Sequence, residues 1–261
     1  VCDGWLSGVR YDFQRTGVIG TLSGRPATGF DVELTVALGI QRACERALAG
    51  VRGAAVVMDA YSGEILAAAS SPWATPDQVE HAADYIMARD DAPLLARAFS
   101  GLYAPGSCIK PAIAAAALDG RWIGPDDEWR CDGWVRAGGT GVSDVRGGHG
   151  TVSLQRALAL SCNTYFVNLA LEAGADLRSR LVAMGLDSDL SVQAPSARAR
   201  LGVDWLTPEG LAQMAIGQGD MLVTPLHMAA IYAAIANGGT LWRPSLLRRV
   251  VDAGGSTIRY W

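Results

Sequence analysis

Two short apolar segments joined by a tight polar turn constrain the fold of this chain more than any other feature. Residues 54–58 and 64–67 are rich in Ala, Val and Ile, and Asp-Ala-Tyr-Ser-Gly at 59–63 supplies turn residues between them. This arrangement predicts an antiparallel β-hairpin. Residues 31–36 alternate in character, as a further strand would. We therefore place the strands of the fold in this part of the chain.

Most of the other predicted elements are helices. The spacing of apolar residues predicts helices at 38–48, 112–118, 152–160, 164–172, 208–216 and 225–236. Residues 1–30 are predicted to be an irregular leading segment, and residues 124–150, which are rich in Gly and Trp, are predicted to be loops. No element is assigned to residues 73–96.

Composition excludes several classes of protein. A net charge of -4 and a pI of about 5.4 do not give the basic surface of a nucleic-acid-binding protein. No apolar run reaches the roughly 18 residues that a membrane span requires. The start at Val1 carries no signal-peptide pattern. We expect any membrane anchor to lie in a segment outside this chain.

The cysteines do not suggest a metal site or a disulfide scaffold. The five are irregularly spaced, and none forms a Cys-x-x-Cys pair. This pattern favours small buried side chains over a structural zinc site. If the protein is exported, Cys131 and Cys162 are the pair to test first for a disulfide.

The single lysine of the chain is its most informative residue. Lysine and arginine together number 22, and Lys110 is the only lysine. Arginine can replace lysine on a solvated surface, but it cannot supply a neutral amine. Ser107 lies three residues before Lys110, at a predicted helix start, so that both side chains share one face. This pair predicts a serine nucleophile activated by a lysine base, whereas a plain helix cap beside a surface lysine is the alternative.

A second polar pair follows 54 residues after Ser107. Ser161 and Asn163 lie between two predicted helices, where they could relay a proton and hold a substrate amide, or could simply cap a helix. Other catalytic signatures are absent: the sequence has no P-loop, no H-E-x-x-H and no G-x-S-x-G. None of its three histidines adjoins a recognisable nucleophile turn.

Taken in order, the two motifs resemble those of the active-site serine penicillin-recognising family, which comprises penicillin-binding proteins and serine β-lactamases. The resemblance extends over residues 31–245. It includes the predicted hairpin, Gly-His-Gly at 148–150, Ile-Gly-Gln-Gly at 216–219, Val-Thr-Pro at 223–225 and Ala-Ile-Ala-Asn-Gly at 234–238. The last four segments are similar to those of the class B, PBP2-like branch.

This resemblance implies an α/β serine transpeptidase fold, in which helices flank an antiparallel sheet and residues 31–261 form the transpeptidase domain. The implied substrate is the D-Ala-D-Ala stem peptide of peptidoglycan, with β-lactams as covalent inhibitors. Lys110 would take the proton of Ser107, Ser161 would pass a proton to the leaving amine, and Asn163 would bind the donor amide and hold Lys110. Further residues would contact substrate: Gly217, Gln218, Gly219 and Thr224. Periplasmic localisation and cell-wall synthesis partners are also implied, whereas no metal and no organic cofactor is implied.

Two departures from the family pattern leave alternatives open. Ala37 stands where the family usually has an acidic residue. The third motif, Lys-Thr/Ser-Gly, does not occur, and we expect the C-terminal strands that carry it to be missing. Arg-Thr-Gly at 15–17 matches a variant spelling but lies upstream of Ser107, and we interpret it as coincidence. The chain could therefore be a catalytically weak homologue that binds peptidoglycan or a cell-wall partner. A D,D-carboxypeptidase or β-lactamase-type hydrolase is the other alternative.

Overall fold

The predicted hairpin forms one side of the protein in a computed structural model that describes residues 2–7, 29–190, 192–202, 206–252 and 254–261. Strands β2 (Gly53–Met58) and β3 (Ile65–Ser71) pair antiparallel. A three-stranded antiparallel sheet lies beside them, in the order β1 (Asp31–Leu34), β8 (Leu247–Val251) and β9 (Thr257–Tyr260). A parallel bridge between Glu64 and Ser245 connects the two sheets.

Side chains cover the edge of β3 that faces away from β2. The Gln41 amide accepts a hydrogen bond from the Ala68 backbone N–H at 2.9 Å and donates to the Ala68 carbonyl oxygen at 3.2 Å. The Thr35 hydroxyl donates to the Ile65 carbonyl oxygen at 2.7 Å. Gln41 belongs to helix α2 (Leu38–Ala47), so this helix is held against the hairpin by a side chain that imitates a neighbouring strand.

The helical side of the protein contains the larger apolar core. Helices α5 (Lys110–Gly120) and α7 (Asn163–Ala173) lie at its centre, surrounded by α6 (Leu154–Ala159), α8 (Ala175–Ala183) and α9 (Pro208–Ala215). Helix α10 (Pro225–Ala236) packs on β2 and joins the two sides. Because α5 and α7 are buried along most of their length, the residues at their first turns have fixed positions.

The predictions for the longer helices and the hairpin are confirmed, but three regions contain elements that the sequence did not predict. Residues 124–150 contain short strands rather than loops alone: β4 (Glu128–Cys131) pairs with β7 (Gly150–Ser153), and β5 (Trp134–Ala137) pairs with β6 (Thr140–Ser143). Residues 73–96 contain helix α3 (Pro76–Met87), and a short helix α4 (Arg97–Ser100) follows. Helix α8 lies between the predicted helices at 164–172 and 208–216, and β8 and β9 follow the last predicted helix.

The leading segment is described only in part. A short helix α1 (Asp3–Leu6) is present, and the Arg-Thr-Gly sequence at 15–17 lies outside the described residues. Among the helices that the structure describes, none has both the length and the apolar character needed to cross a membrane.

Candidate active site

Ser107 lies in a 3-10 turn (Gly106–Ile109) that leads directly into α5. The turn is held from behind, because the Gly106 N–H donates to the Gly217 carbonyl oxygen at 2.9 Å and the Tyr232 hydroxyl donates to the Cys108 carbonyl oxygen at 2.9 Å. Gly217 has a positive φ of 66°, and a Cβ at this position would lie 2.2 Å from the Gly106 carbonyl oxygen. The position therefore requires glycine.

Lys110 is buried behind the nucleophile. Its side chain is 1% exposed, and Nζ donates to the Asn163 Oδ1 at 2.7 Å, to the Ser161 carbonyl oxygen at 2.7 Å and to the Ser161 Oγ at 3.2 Å. Burial lowers the pKa of Lys110 to about 8, partly opposed by the negative charge of Asp144. A lysine with this pKa can act as a base near neutral pH.

Ser161 connects Lys110 to Ser107. Its hydroxyl donates to the Ser107 Oγ at 2.8 Å and accepts from the Lys110 Nζ. The sequence analysis assigned proton removal to Lys110 acting on Ser107 itself, whereas the hydrogen bonds run from Lys110 to Ser161 and from Ser161 to Ser107. The arrangement provides a continuous path for a proton between the nucleophile and the buried amine.

Asp144 holds the turn that carries Ser161 and Asn163, and the sequence analysis did not identify it. Its carboxylate accepts hydrogen bonds from the backbone N–H groups of Asn163 and Thr164 and from the Thr164 hydroxyl. Burial acts to raise the pKa of Asp144, but these hydrogen bonds and one from Cys131 outweigh it and lower the pKa. The carboxylate is therefore ionised and fixes the start of α7.

The four predicted catalytic residues come together, but the predicted substrate-binding residues do so only in part. Ser107, Ser161, Asn163 and Gln218 line one open cavity of about 580 Å³. Gly217 lies behind the nucleophile turn. Gly219 does not line this cavity but a neighbouring one.

Thr224 does not reach the cavity either. It is fully buried, and its hydroxyl caps α10 by accepting from the His227 backbone N–H at 3.2 Å. The same hydroxyl lies 2.7 Å from His227 Nδ1. Its predicted contact with substrate is corrected to a structural role, because a threonine before proline at a helix start is oriented towards the helix backbone.

Beneath the cavity, four side chains could hold a metal ion. The ligand atoms of Cys131, Asp144, His149 and Cys162 all lie within 4.8 Å of one another, and their contacts include 3.2 Å from Cys131 Sγ to Asp144 Oδ2 and 3.4 Å from Cys131 Sγ to His149 Nδ1. A tetrahedral zinc site with bonds of about 2.0–2.3 Å separates its ligands by about 3.3–3.8 Å. Two sulfurs, one imidazole and one carboxylate are donors that Zn²⁺ accepts, and such an ion would cross-link β4 to the start of α7.

The spacing of these four residues along the sequence does not indicate the cluster. Its members come from β4, from the loop between β6 and β7, and from the cap of α7, with no Cys-x-x-Cys signal among them. The prediction that the cysteines are buried is confirmed for Cys131 and Cys162, whereas Cys108 is exposed. Of the three histidines, His149 lines the cavity, His81 is exposed and His227 is buried in α10.

A serine hydroxyl linked through a second serine to a buried lysine is the arrangement typical of an active-site serine acyltransferase or hydrolase. The chain belongs to the penicillin-binding protein transpeptidase domain family, whose model matches residues 53–260.

Curated relatives of the chain share about a third of its residues. It is 32% identical to the peptidoglycan D,D-transpeptidase MrdA of Acinetobacter baumannii, over 90% of this chain and 38% of that protein. It is 34% identical to the peptidoglycan D,D-transpeptidase PbpA of Mycolicibacterium smegmatis, over 90% of this chain and 52% of that protein. The chain thus spans about two fifths to one half of the length of these relatives.

Solved structures share the fold over nearly the whole chain. Penicillin-binding protein A from Mycobacterium tuberculosis, as a penicillin G acyl-enzyme complex, superposes with a TM-score of 0.85 at 29% identity, covering 99% of this chain and 64% of that one. PBP2 from Helicobacter pylori in complex with MreC superposes with a TM-score of 0.76 at 25% identity, covering 83% of this chain and 44% of that one. The predicted α/β serine transpeptidase fold is confirmed.

Proposed function

We propose that this chain is the catalytic domain of a class B-type peptidoglycan D,D-transpeptidase, with residues 31–261 forming the transpeptidase unit. The observation that carries the proposal is the continuous hydrogen-bonded path from Lys110 through Ser161 to Ser107, at the edge of an open cavity. Relatives named as peptidoglycan D,D-transpeptidases support the substrate class.

Acylation uses this path in the direction from serine to lysine. The Ser107 proton passes to the Ser161 oxygen while the Ser161 proton passes to the neutral Lys110 amine, and the Ser107 oxygen attacks the penultimate D-Ala carbonyl carbon. The backbone N–H of Ser107 stabilises the negative charge that develops on the carbonyl oxygen. Ser161 then returns a proton to the departing D-Ala nitrogen, and the C–N bond breaks to leave an ester on Ser107.

The second half of the reaction reverses the proton path. The amine of a neighbouring stem peptide attacks the ester carbon and loses its proton through Ser161 to Lys110, and the Ser107 oxygen is released with a proton from the same path. A β-lactam enters the first half as a substrate mimic and remains as an ester on Ser107. Hydrolysis of the ester instead would make the chain a carboxypeptidase, and the names of its relatives favour transpeptidation.

Localisation and partners follow from the same substrate. Peptidoglycan lies outside the cytoplasm, and we propose that this domain works in the periplasm or at the outer face of the inner membrane. The PBP2–MreC complex of Helicobacter pylori supports a cell-wall synthesis protein as partner. A purely binding homologue is disfavoured, because such a role would not need a buried lysine connected to a serine nucleophile.

Labelling with a fluorescent penicillin tests the proposal. We expect the chain to form a covalent adduct on Ser107, and Ser107→Ala to abolish it. Ser256→Ala, at an exposed serine in the turn between β8 and β9, is the matched control and should label as the wild type does. Labelling that survives Ser107→Ala would place the nucleophile elsewhere and refute the assignment.

A further inference from the structure

Arg146 brings a positive charge to the active-site cavity. An aspartate and this arginine, Asp144 and Arg146, line the cavity beside Ser107. The Asp144 carboxylate is 8% exposed and is occupied by the hydrogen-bond donors at the start of α7. The Arg146 side chain is exposed, and within the part of the chain that the structure describes its guanidinium forms no ion pair and no hydrogen bond. The cavity therefore offers an unpaired cation to a ligand.

A tight turn between β6 and β7 holds Arg146 in this position. The Gly147 N–H donates to the Asp144 carbonyl oxygen at 3.4 Å. Val145 and Arg146 are therefore the two central residues of the turn. The Asp144 N–H donates to the Gly133 carbonyl oxygen at 2.9 Å, while its carboxylate binds the start of α7. Because the first residue of the turn is tied through both its backbone and its side chain, the turn has a fixed place beside the catalytic residues.

The turn lies on the side of the cavity that Asn163 occupies. Asn163 Nδ2 donates to the carbonyl oxygen of Ser143, the residue directly before the turn, at 3.0 Å. Asn163 Oδ1 accepts from Lys110. A primary amide has two N–H groups, so that one remains for a peptide carbonyl oxygen of the substrate. A peptide bound at Asn163 therefore passes close to the turn that carries Arg146.

Exposed apolar side chains accompany this charge. Val145, Leu160 and Ile216 line the same cavity, and Val145 and Leu160 are 97% and 38% exposed. Aliphatic surface beside a cation fits a ligand that is itself an aliphatic chain with a negatively charged end. The methylene groups of such a chain would cover the apolar side chains, and its carboxylate would bind the guanidinium of Arg146 through two parallel hydrogen bonds.

We propose that Arg146 is a specificity-determining residue that binds a carboxylate on an aliphatic side chain of the acyl-donor peptide. The proposal rests on the transpeptidase function proposed above and adds a feature of its substrate, an acidic residue on the amino-terminal side of the scissile bond. The departing D-Ala does not fit this position, because its methyl side chain cannot cover Val145 and Leu160. Arg146 transfers no proton, so it selects between donors and leaves the chemical step itself unchanged.

Two penicillins that differ only at the end of the acyl side chain test the proposal. One carries an adipoyl chain with a free carboxylate, and the other carries the corresponding primary amide. Both have the same ring carboxylate, so any contact with that group cancels in the ratio of the two acylation rate constants. We expect the wild type to react about 3–10-fold faster with the carboxylate form. Arg146→Gln should react with both forms at similar rates.

Arg156→Gln is the matched control for this variant. Arg156 is an exposed arginine on α6 that does not line the cavity, so its replacement should leave the preference for the carboxylate form unchanged. Arg146→Glu should prefer the amide form, because like charges repel. Raising the NaCl concentration from about 50 to about 500 mM should weaken the preference of the wild type and have no effect on the ratio in Arg146→Gln. A wild type without preference, or a preference that Arg146→Gln retains, would overturn the proposal.

Binding to Ser107→Ala separates this proposal from the proposed function. This variant cannot form the ester, so NMR titration gives the affinities of the two penicillins without any chemical step. We expect the carboxylate form to bind several-fold more tightly, and the added Arg146→Gln change to remove the difference. This result in a chain whose wild type is never acylated would refute the proposed function and leave the role of Arg146 in place. Equal affinities in such a chain would overturn the role of Arg146 as well.

Discussion

Burial determines what Lys110 can do. Water stabilises an ammonium ion, and the nearly complete removal of solvent lowers the pKa of this side chain to about 8. Three oxygen acceptors on Ser161 and Asn163 still orient the nitrogen. The residue is thus held like a structural cation, but a fraction of it is neutral near physiological pH. Both properties depend on the turn between α6 and α7.

Replacing this lysine with arginine separates charge from basicity. Lys110→Arg retains a cation near Ser161 but cannot supply a neutral amine, so we expect acylation by a penicillin to fall by about 10²–10⁴-fold. Stopped-flow or gel-based acylation rates measure this effect, and circular dichroism checks that the fold is retained. A folded variant that acylates within a few-fold of the wild type would show that Lys110 acts only as a cation.

The pH dependence of acylation should follow the titration of Lys110. With a pKa of about 8, roughly a tenth of Lys110 is neutral at pH 7, and this fraction rises about tenfold per pH unit below the pKa. Acylation rates should therefore increase from pH 6 to 8 and level off above it. Rates measured with one β-lactam across this range test the prediction. A flat profile below pH 8 would exclude a lysine base, and the Lys110→Arg variant provides the control for pH effects on the drug.

The same residues show what a single sequence can and cannot provide. Ser107 and Lys110 were predicted because they lie three residues apart at a helix start, and the lone lysine drew attention to them. Asp144 was missed because its partners, Asn163 and Thr164, lie about twenty residues away and the contact depends on how β6 approaches α7. Thr224 was misassigned because a resemblance locates a segment but does not show where a side chain points.

At the scale of elements, local signals predicted the helix starts more reliably than the short strands. Thr-Pro begins α3, α9 and α10, where the threonine hydroxyl caps each helix. The sequence analysis began the last two helices at these prolines and assigned no element after Thr75, although Gln78 completes a capping box there. The strands of 124–150 have four residues each, too few for their alternation to stand out among the glycines.

The contact between the α9–α10 connection and the nucleophile turn gives a test at this scale. In Gly217→Ala the new Cβ would lie 2.2 Å from the Gly106 carbonyl oxygen, which is too close for two non-bonded atoms. The left-handed backbone conformation of this residue would cost alanine about 1–2 kcal/mol in addition. The turn must then move, and we expect acylation of Ser107 to fall about tenfold or more.

Gly238→Ala is the matched control for this variant. Gly238 also has a positive φ, of 84°, but a Cβ there would have no heavy atom within 4 Å. It should therefore lower the Tm by a few degrees through backbone strain alone and leave the acylation rate unchanged. Equal losses of acylation in both variants would attribute the effect to stability rather than to the position of Ser107.

At the scale of the whole molecule, the order of motifs along the chain predicted the fold, and long-range contacts completed it. The resemblance located the hairpin, the nucleophile helix and the second motif correctly, since each is a local pattern in a fixed order. Periodicity alone could not show that Gln41 would bond to Ala68, or that β8 would lie between β1 and β9. These contacts join residues far apart in sequence, and only packing in three dimensions selects them.

The outer edges of β2 and β3 differ in their hydrogen bonds: backbone groups on the outer edge of β3 have partners outside the hairpin. Ala68 bonds to Gln41 rather than to its partner Val56, so the pair is not hydrogen-bonded within the hairpin and the N–H and C=O of Val56 point away from β3. The same alternation applies to Ala54, opposite Ser70. Among the described residues, β2 pairs with β3 alone. β2 therefore presents an apolar edge to which another strand could add.

A pair of proline variants tests that consequence. Residues 1–261 should self-associate with increasing concentration in sedimentation velocity, because an apolar edge with unpaired backbone groups recruits another strand. Ala54→Pro removes an N–H that points to the open edge and should shift the protein towards monomer with little change in Tm. Ala55→Pro, one residue along, removes an N–H directed at β3 opposite Ala69 and should destabilise the hairpin by about 1–3 kcal/mol. A wild type that stays monomeric at high concentration, or two variants with the same effect, would show that this edge is not an association surface.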